Sequence, residues 1–111
     1  MKKYCFALDL IDDSQLIAEY EHWHRKENSW PEINDSIIRA GINTMEIYRT
    51  GNRLFMIMET TDTFSLEDKA LSDLANPKIR EWEEMMLKYQ QPLPWAPDGE
   101  KWILMNLMFH L

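Results

Sequence analysis

The sequence predicts an α+β fold in which an antiparallel sheet carries helices on one face. Strand-like stretches lie near both ends of the chain and in its middle, and apolar residues at helical spacing fill the intervals between them. Proline and glycine stand where the helices should begin and end. The 111 residues suit a single domain over residues 1–111. Apolar residues make up 45% of the chain, enough for a core.

The first half of the chain predicts a strand followed by two helices. The strand covers Lys3–Leu10, where bulky and small residues alternate. Residues 12–14 supply N-cap candidates for the first helix. Its inner face consists of Leu16, Ile17, Tyr20, Trp23 and His24. The pattern weakens at residues 27–29, and Pro31 predicts the start of a second helix that ends at Gly41.

The second half predicts a hairpin, two helices and a final strand. The hairpin joins Asn43–Arg49 to Arg53–Thr61 through a loop that contains Gly51. One helix is expected over Phe64–Leu74, and the next begins at Asn76-Pro77, the cap-and-proline signal. Its inner face consists of Ile79, Trp82, Met86 and Tyr89. After a proline-rich loop, Lys101–His110 predicts the last strand.

The element order β-α-α-β-β-α-α-β is the split β-α-β, ferredoxin-like arrangement with each helix broken in two. It predicts a four-stranded antiparallel sheet with helices on one face. The strands are apolar on both faces, whereas a sheet with one face in water should alternate apolar and polar residues. A second copy of the sheet would cover the other face. We therefore expect a homodimer, a dimeric α+β barrel.

Composition excludes several classes of protein. The net charge is −7 and the basic residues are scattered among acids, which argues against nucleic acid as a partner. No apolar run approaches the length of a membrane span, and the first stops at Asp9, too early for a signal peptide. The single cysteine, Cys5, fits a reducing compartment. We expect a soluble, cytoplasmic protein with no membrane association.

Tyr20 and His24 are the residues with the clearest chemical potential. They are four apart, so they share the helix face that points at the sheet. A histidine there is either a packed core residue or an acid/base, because histidine titrates near neutral pH. His22 should point to solvent, and His110, at the chain's end, has no assigned role.

Other sites lack a sequence signature. His22 and His24 are two apart, whereas a zinc pair on a helix needs a spacing of three or four, so no metal site is expected. The three isolated glycines form no phosphate-binding loop, and no nucleophile elbow occurs. No carboxylate pair has a spacing that suggests glycoside hydrolysis. Five tryptophans and eight methionines suit either core packing or a pocket for a sugar.

The sequence resembles the L-rhamnose mutarotase family along nearly its whole length. Tyr20, His24 four residues later, and the run Trp30-Pro31-Glu32 match the family's pattern. Further matching stretches are Glu46-Ile47-Tyr48, Leu54-Phe55, Glu59, Met85-Met86 and Met108-Phe109-His110-Leu111. The resemblance implies a dimeric α+β barrel that interconverts the α and β anomers of a 6-deoxyhexopyranose without a cofactor.

The resemblance also implies site residues, with three departures. His24 matches the catalytic histidine, Tyr20 a sugar-binding tyrosine, and Trp82 the first of two adjacent tryptophans that contact the sugar. Glu83 replaces the second tryptophan, and Met45 stands where the family has a tyrosine. The spacing from the histidine to the W-P-E run is also longer. We thus expect Met45 and Glu83 to line the sugar pocket.

These features rank the candidate activities. L-rhamnose is the first candidate sugar, and L-fucose or another deoxy sugar is the alternative. Two other classes of function stay open: a small monooxygenase on the same dimeric barrel, and a sugar-binding dimer without catalytic activity.

Overall fold

The sheet has the strand order of the ferredoxin-like arrangement. The computed structural model describes residues 1–111. Its elements are β1 (Lys2–Leu10), α1 (Ser14–Trp23), α2 (Pro31–Arg39), β2 (Ile42–Thr50), β3 (Arg53–Thr60), α3 (Leu66–Ala75), α4 (Pro77–Met86), β4 (Gln90–Gln91) and β5 (Ile103–Leu104). The order across the sheet is β2-β3-β1, with β4 and β5 both on the free edge of β1, and every pair is antiparallel. The predicted antiparallel α+β fold is confirmed.

The final strand is shorter than predicted. Of the expected Lys101–His110, only Ile103–Leu104 pairs with β1. The end of the same β1 edge, at Asp9 and Leu10, is taken by β4, a strand that the sequence did not predict. Beyond β5 a single bond joins the Met105 N–H to the Cys5 carbonyl at 2.7 Å. The prediction was wrong in length because this stretch, although apolar, finds no further partner within its own chain.

The C-terminal tail, residues 105–111, is exposed despite its apolar sequence. Leu107 is 81% and Met108 94% exposed, and Phe109 and Leu111 are open to solvent as well. Exposed large side chains in a continuous run are uncommon on the surface of a monomer and mark interaction sites.

The helices begin and end where local sequence signals place them. Asp13 caps α1 by accepting a bond from the Leu16 N–H at 2.9 Å. The Asn76 side chain caps α4, and proline occupies the first turn of both α2 and α4. Gly41 follows α2 with φ +96°, and a β-carbon there would lie 2.8 Å from the Thr61 hydroxyl, so only glycine fits. None of the helices has the length and apolar character needed to cross a membrane.

The core lies on the helix-facing side of the sheet and has two parts. The first, called the Tyr20 cluster, consists of Leu10, Tyr20, Leu54, Met86 and Tyr89. The second, called the Phe64 cluster, consists of Ile42, Met58 and Phe64. The two clusters lie towards opposite ends of β1 and β3, because Leu8 pairs with Leu54 while Tyr4 pairs with Met58.

The centre of the other side of the sheet, the outer face, is apolar and lies outside the core. Side chains alternate between the two faces, so Cys5, Ala7, Phe55 and Ile57 point outwards. No residue of the outer face belongs to either cluster or packs against one. The four side chains are only partly buried in this chain, although they are apolar.

Candidate active site at the end of helix α1

Tyr20 and His24 lie against one another at the C-terminal end of α1. Tyr20 is buried in the core, and its ring centroid is 4.3 Å from that of His24. His24 is the residue that follows the last turn, where its backbone N–H bonds the Glu21 carbonyl at 3.1 Å. The prediction that the two side chains share one helix face is confirmed.

A single hydrogen bond fixes the tautomer of His24. Its Nδ1 lies 2.8 Å from the backbone oxygen of Tyr20. A carbonyl oxygen only accepts, so Nδ1 carries the proton and Nε2 keeps a free lone pair. Burial against the neighbouring rings lowers the pKa of His24, and the bond to the Tyr20 carbonyl opposes this more weakly. The imidazole is therefore a neutral base at neutral pH, and one side of it is open to solvent.

The hydroxyl of Tyr20 is a weak acid in this environment. Burial raises the pKa of Tyr20 to about 12, and the nearby Gln90 side chain opposes this more weakly. Its ring also meets Tyr89 edge-on at 6.0 Å. Tyr20 is thus protonated at any physiological pH and has a proton to offer to a ligand.

An aromatic wall stands beside this pair. The ring of Trp82, from α4, meets His24 edge-on at 5.5 Å, and Trp30 meets Trp82 at 5.2 Å. The ammonium group of Lys78 lies 5.2 Å from the centre of the Trp30 ring. Both tryptophans are partly exposed, so they offer apolar surface to a ligand. Trp30 was noted only as part of the W-P-E run, and its contact with Trp82 depends on the packing of α2 on α4.

The remaining predicted residues occupy different parts of the fold from Tyr20 and His24. Glu83 is exposed and follows Trp82 on α4. Met45, on β2, packs against the Phe64 cluster rather than the Tyr20 cluster. His22 is exposed as predicted, and the Asn28 amide donates to its backbone carbonyl at 2.8 Å. His110 lies in the exposed C-terminal tail.

Gln90 is a polar residue of this region that sequence reasoning missed. It lies on β4 opposite Leu10, a member of the Tyr20 cluster. Its Oε1 is buried without any hydrogen-bond partner. Gln90 also lines a cavity of about 210 Å³, together with Leu8 and Lys101 among others. Nothing in the local sequence distinguishes Gln90 from the exposed Gln91 beside it.

Comparison with known proteins finds relatives over almost the whole chain. Residues 3–111 match the family model described as L-rhamnose mutarotase. The chain is 44% identical over 102 residues to a protein of Xanthomonas campestris named L-fucose mutarotase, covering 92% of this chain and 82% of that one.

Two solved structures share the fold. The L-rhamnose mutarotase of Formosa agariphila superposes with a TM-score of 0.72 at 18% identity, over 100% of this chain and 99% of that one. Tetracenomycin F2 cyclase of Streptomyces glaucescens superposes with a TM-score of 0.59 at 14% identity, over 100% and 97%. Since the family model spans almost all of the sequence, this chain belongs to the L-rhamnose mutarotase family.

Proposed function

We propose that this protein is a mutarotase that interconverts the α and β anomers of a 6-deoxyhexopyranose, with His24 as the acid/base. The observation that carries the proposal is the free Nε2 of His24. Because Nδ1 is held by the Tyr20 carbonyl, the basic nitrogen faces away from the helix, beside Trp82. Membership of the family supports the same activity.

The mechanism needs one base and one proton donor. Nε2 of His24 accepts the proton of the anomeric O1–H, C1–O1 becomes a carbonyl, and the C1–O5 bond breaks while O5 gains a proton from Tyr20 or a water. Rotation about C1–C2 presents the other face of the aldehyde, and the reverse proton transfers close the ring. Such acid/base help contributes roughly 10²–10⁴-fold.

The residues around His24 have supporting roles in this proposal. Tyr20 orients the sugar through its hydroxyl, and the ring of Trp82 forms an apolar wall against one sugar face. Glu83 and Met45 stay as predicted sugar contacts. Glu83 lies next to Trp82 in sequence, whereas Met45 would require a pocket that extends along the sheet towards the Phe64 cluster.

Two sugars are the leading substrates. The family model favours L-rhamnose, and the Xanthomonas relative, at 44% identity, favours L-fucose. The loss of an adjacent tryptophan at Glu83 also favours a pocket that differs from the rhamnose enzymes. We propose both sugars as substrates. The family model puts L-rhamnose first, and the relative at 44% identity puts L-fucose first.

Exchange spectroscopy by NMR tests the function directly. Saturation of the α-anomer H1 signal should transfer to the β signal faster with enzyme than in buffer, for L-rhamnose, L-fucose or both. D-Glucose, which has a 6-hydroxyl, serves as the control sugar. If no 6-deoxy sugar exchanges faster than in buffer, the proposed activity is wrong, and binding without exchange would indicate a sugar-binding protein instead.

We also propose that the single domain over residues 1–111 works as a homodimer. The centre of the outer face is apolar and only partly buried, and the exposed C-terminal tail adds further apolar surface. Covering such a face with a second copy would form a large, obligate type of interface. Light scattering should give twice the 13.4 kDa chain mass at micromolar concentration. A well-folded monomer at that concentration would contradict the proposal.

A cytoplasmic location is part of the same proposal. The single free cysteine, Cys5, suits a reducing compartment, and the family consists of metabolic enzymes. Cell fractionation of the native host tests it, and recovery of the protein in a secreted fraction would contradict it.

A further inference from the structure

Trp30 contacts helix α4 at two side chains that are one helical turn apart. Its ring centroid is 5.2 Å from that of Trp82, with 70° between the ring planes, and the Lys78 ammonium group lies 5.2 Å from the centre of the same ring. Lys78 and Trp82 are four residues apart on α4, so they share one face of the helix. The Trp30 ring therefore packs on that face and contacts both residues.

The backbone of Trp30 is fixed at the start of α2. Trp30 is the N-cap residue, and its carbonyl accepts hydrogen bonds from the N–H groups of Ile33 at 3.1 Å and Asn34 at 3.2 Å. Pro31 follows in the first turn, and its ring restricts the backbone further. The indole of Trp30 is thus attached to a well-held residue, from which it reaches across to α4.

Burial in the core does not account for these contacts. Trp30 is only partly buried, and it neither belongs to a core cluster nor packs against one. Trp82 does pack against the Tyr20 cluster, and its ring meets that of His24 edge-on at 5.5 Å, with 68° between the planes. Edge-to-face contacts between aromatic rings are directional. The contacts with His24 and Trp30 together therefore restrict the orientation of the Trp82 ring.

We propose that Trp30 is a positioning residue that fixes the ring of Trp82 beside His24, and that Lys78 in turn fixes Trp30. This inference rests on the proposed mutarotase function, in which Trp82 forms the wall against one sugar face. Such a wall contacts the sugar equally before and during proton transfer, so it strengthens binding without changing the chemical step. Loss of Trp30 should therefore raise KM and leave kcat nearly unchanged.

Substitutions of Trp30 test the ring contact, and exchange spectroscopy at a series of sugar concentrations separates KM from kcat. Trp30→Ala should raise KM for the 6-deoxy sugar about fivefold, the scale of a lost aromatic pair, with kcat unchanged. Trp30→Phe keeps an aromatic ring at this position and should recover most of that loss. A KM as high in Trp30→Phe as in Trp30→Ala, or a loss of kcat at unchanged KM, would overturn the inference.

Trp95→Ala is the matched control for Trp30→Ala. Trp95 also has a cation over its ring, the Arg53 guanidinium at 5.1 Å. Arg53 pairs with Asp9, and side-chain alternation along β3 directs it to the outer face, away from the helices. Trp95→Ala should therefore keep the KM of wild type, and a KM raised as much as in Trp30→Ala would contradict a specific role of Trp30.

Substitutions of Lys78 test the second contact. Lys78→Met removes the charge and keeps an apolar stem, and it should raise KM about twofold, the scale of an exposed cation–π contact. Lys78→Arg keeps the cation and should match wild type. Lys78 also lies 3.5 Å from Glu81 in an exposed ion pair, so Glu81→Gln serves as the control and should leave KM unchanged. An unchanged KM in Lys78→Met would refute the part assigned to Lys78.

A double-mutant cycle separates positioning from direct contact with the sugar. If Trp30 acts through Trp82, adding Trp30→Ala to Trp82→Ala should raise KM no further. A Trp30 that itself contacts the sugar would add its own loss to that of Trp82→Ala, and this result would overturn the inference.

NMR supplies a readout that does not depend on activity. A nuclear Overhauser effect between the His24 imidazole and the Trp82 ring should be present in wild type and in Trp30→Phe, and it should weaken or vanish in Trp30→Ala. An active wild type whose KM and Overhauser effect are unchanged by Trp30→Ala refutes this inference alone. A wild type that exchanges no anomer refutes the proposed function instead, and the Overhauser effect still tests the contact.

Discussion

The two core clusters lie on the same face of the same sheet and differ in what surrounds them. The Phe64 cluster is closed by apolar side chains, among them Tyr4 and Phe6 from β1 and Ile37 from α2. The Tyr20 cluster continues into His24, Trp82 and Gln90, which bring a free imidazole nitrogen and an unpaired amide oxygen. The Tyr20 end of the sheet therefore has polar side-chain atoms beside the core, whereas the Phe64 end packs apolar side chains.

The two clusters differ because helices and strands begin and end beside one of them and not beside the other. At the Tyr20 end, α1 stops and β4 begins, so side chains with polar groups meet where backbone regularity is lost. At the Phe64 end, the long antiparallel pairing of β1, β2 and β3 continues unbroken beneath the helices except for the irregularity between Ile42 and Thr44. Substitutions at the two ends should therefore change different measurements.

The largest expected effect on catalysis is at His24. His24→Ala removes the proposed base and should slow anomer exchange by about 10²-fold or more. The fold should survive, because His24 follows the last turn of α1 and is not part of either cluster. Exchange spectroscopy on protein of known folded fraction measures the loss.

His22→Ala is the control, since this exposed neighbour faces another direction. Its exchange rate should match that of wild type. If His24→Ala only lowers the melting temperature and keeps the exchange rate per folded molecule, His24 is a packed residue and the mechanism is wrong.

At Phe64 we expect a large loss of stability and little change in the exchange rate, the opposite of His24. This buried ring packs edge-on against Tyr4 at 5.5 Å, and Phe64→Ala should lower the free energy of unfolding by roughly 3–5 kcal/mol through the cavity it leaves. The exchange rate per folded molecule should stay near that of wild type. Denaturant unfolding together with exchange spectroscopy tests both, and a specific loss of exchange would remove the distinction between the two ends.

The pH dependence of wild-type activity is a more moderate test. Burial lowers the pKa of His24, and in the proposed mechanism the active form is the unprotonated base. Activity should therefore hold through neutral pH and fall only below the ordinary histidine value of about 6.5, by about tenfold for each pH unit once His24 is protonated. A fall that begins above pH 6.5 would mean that His24 is not the titrating base, or that its pKa is raised.

The smallest effect is expected at Met45. Met45→Leu nearly conserves volume, so the free energy of unfolding should change by less than about 1.5 kcal/mol. Since leucine keeps an apolar side chain of similar size at this proposed sugar contact, KM for the sugar should rise only slightly. A KM identical to that of wild type would contradict the proposed contact between Met45 and the sugar.

Local signals in the sequence predict most of this fold. The caps at Asp13 and Asn76, the prolines at 31 and 77 and the glycine at 41 act within a few residues, so they are readable without the fold. The Tyr20–His24 contact is local as well, since one helical turn brings the two together.

The parts that escaped prediction depend on distant pairing. A two-residue strand such as β4 has no periodicity to detect, and it exists because β1 presents a free edge at Asp9 and Leu10. Gln90 reaches the region of the Tyr20 cluster only because that pairing sets it opposite Leu10. The final strand is likewise set by pairing on this edge, since β4 takes Asp9 and Leu10 and β5 takes only Phe6 and Ala7.

The segment between His24 and Trp30 separates a fixed side of the candidate site from a side whose position depends on loop length. His24 is fixed to Tyr20 by a bond within α1, whereas Trp30 arrives on a separate loop that contains only the short 3-10 turn Lys26–Asn28. Insertions or deletions in this loop would shift Trp30 relative to Trp82, while His24 stays in place. Evolution could thus change which sugar is accepted by altering the length of one surface loop, and a protein engineer could use the same position.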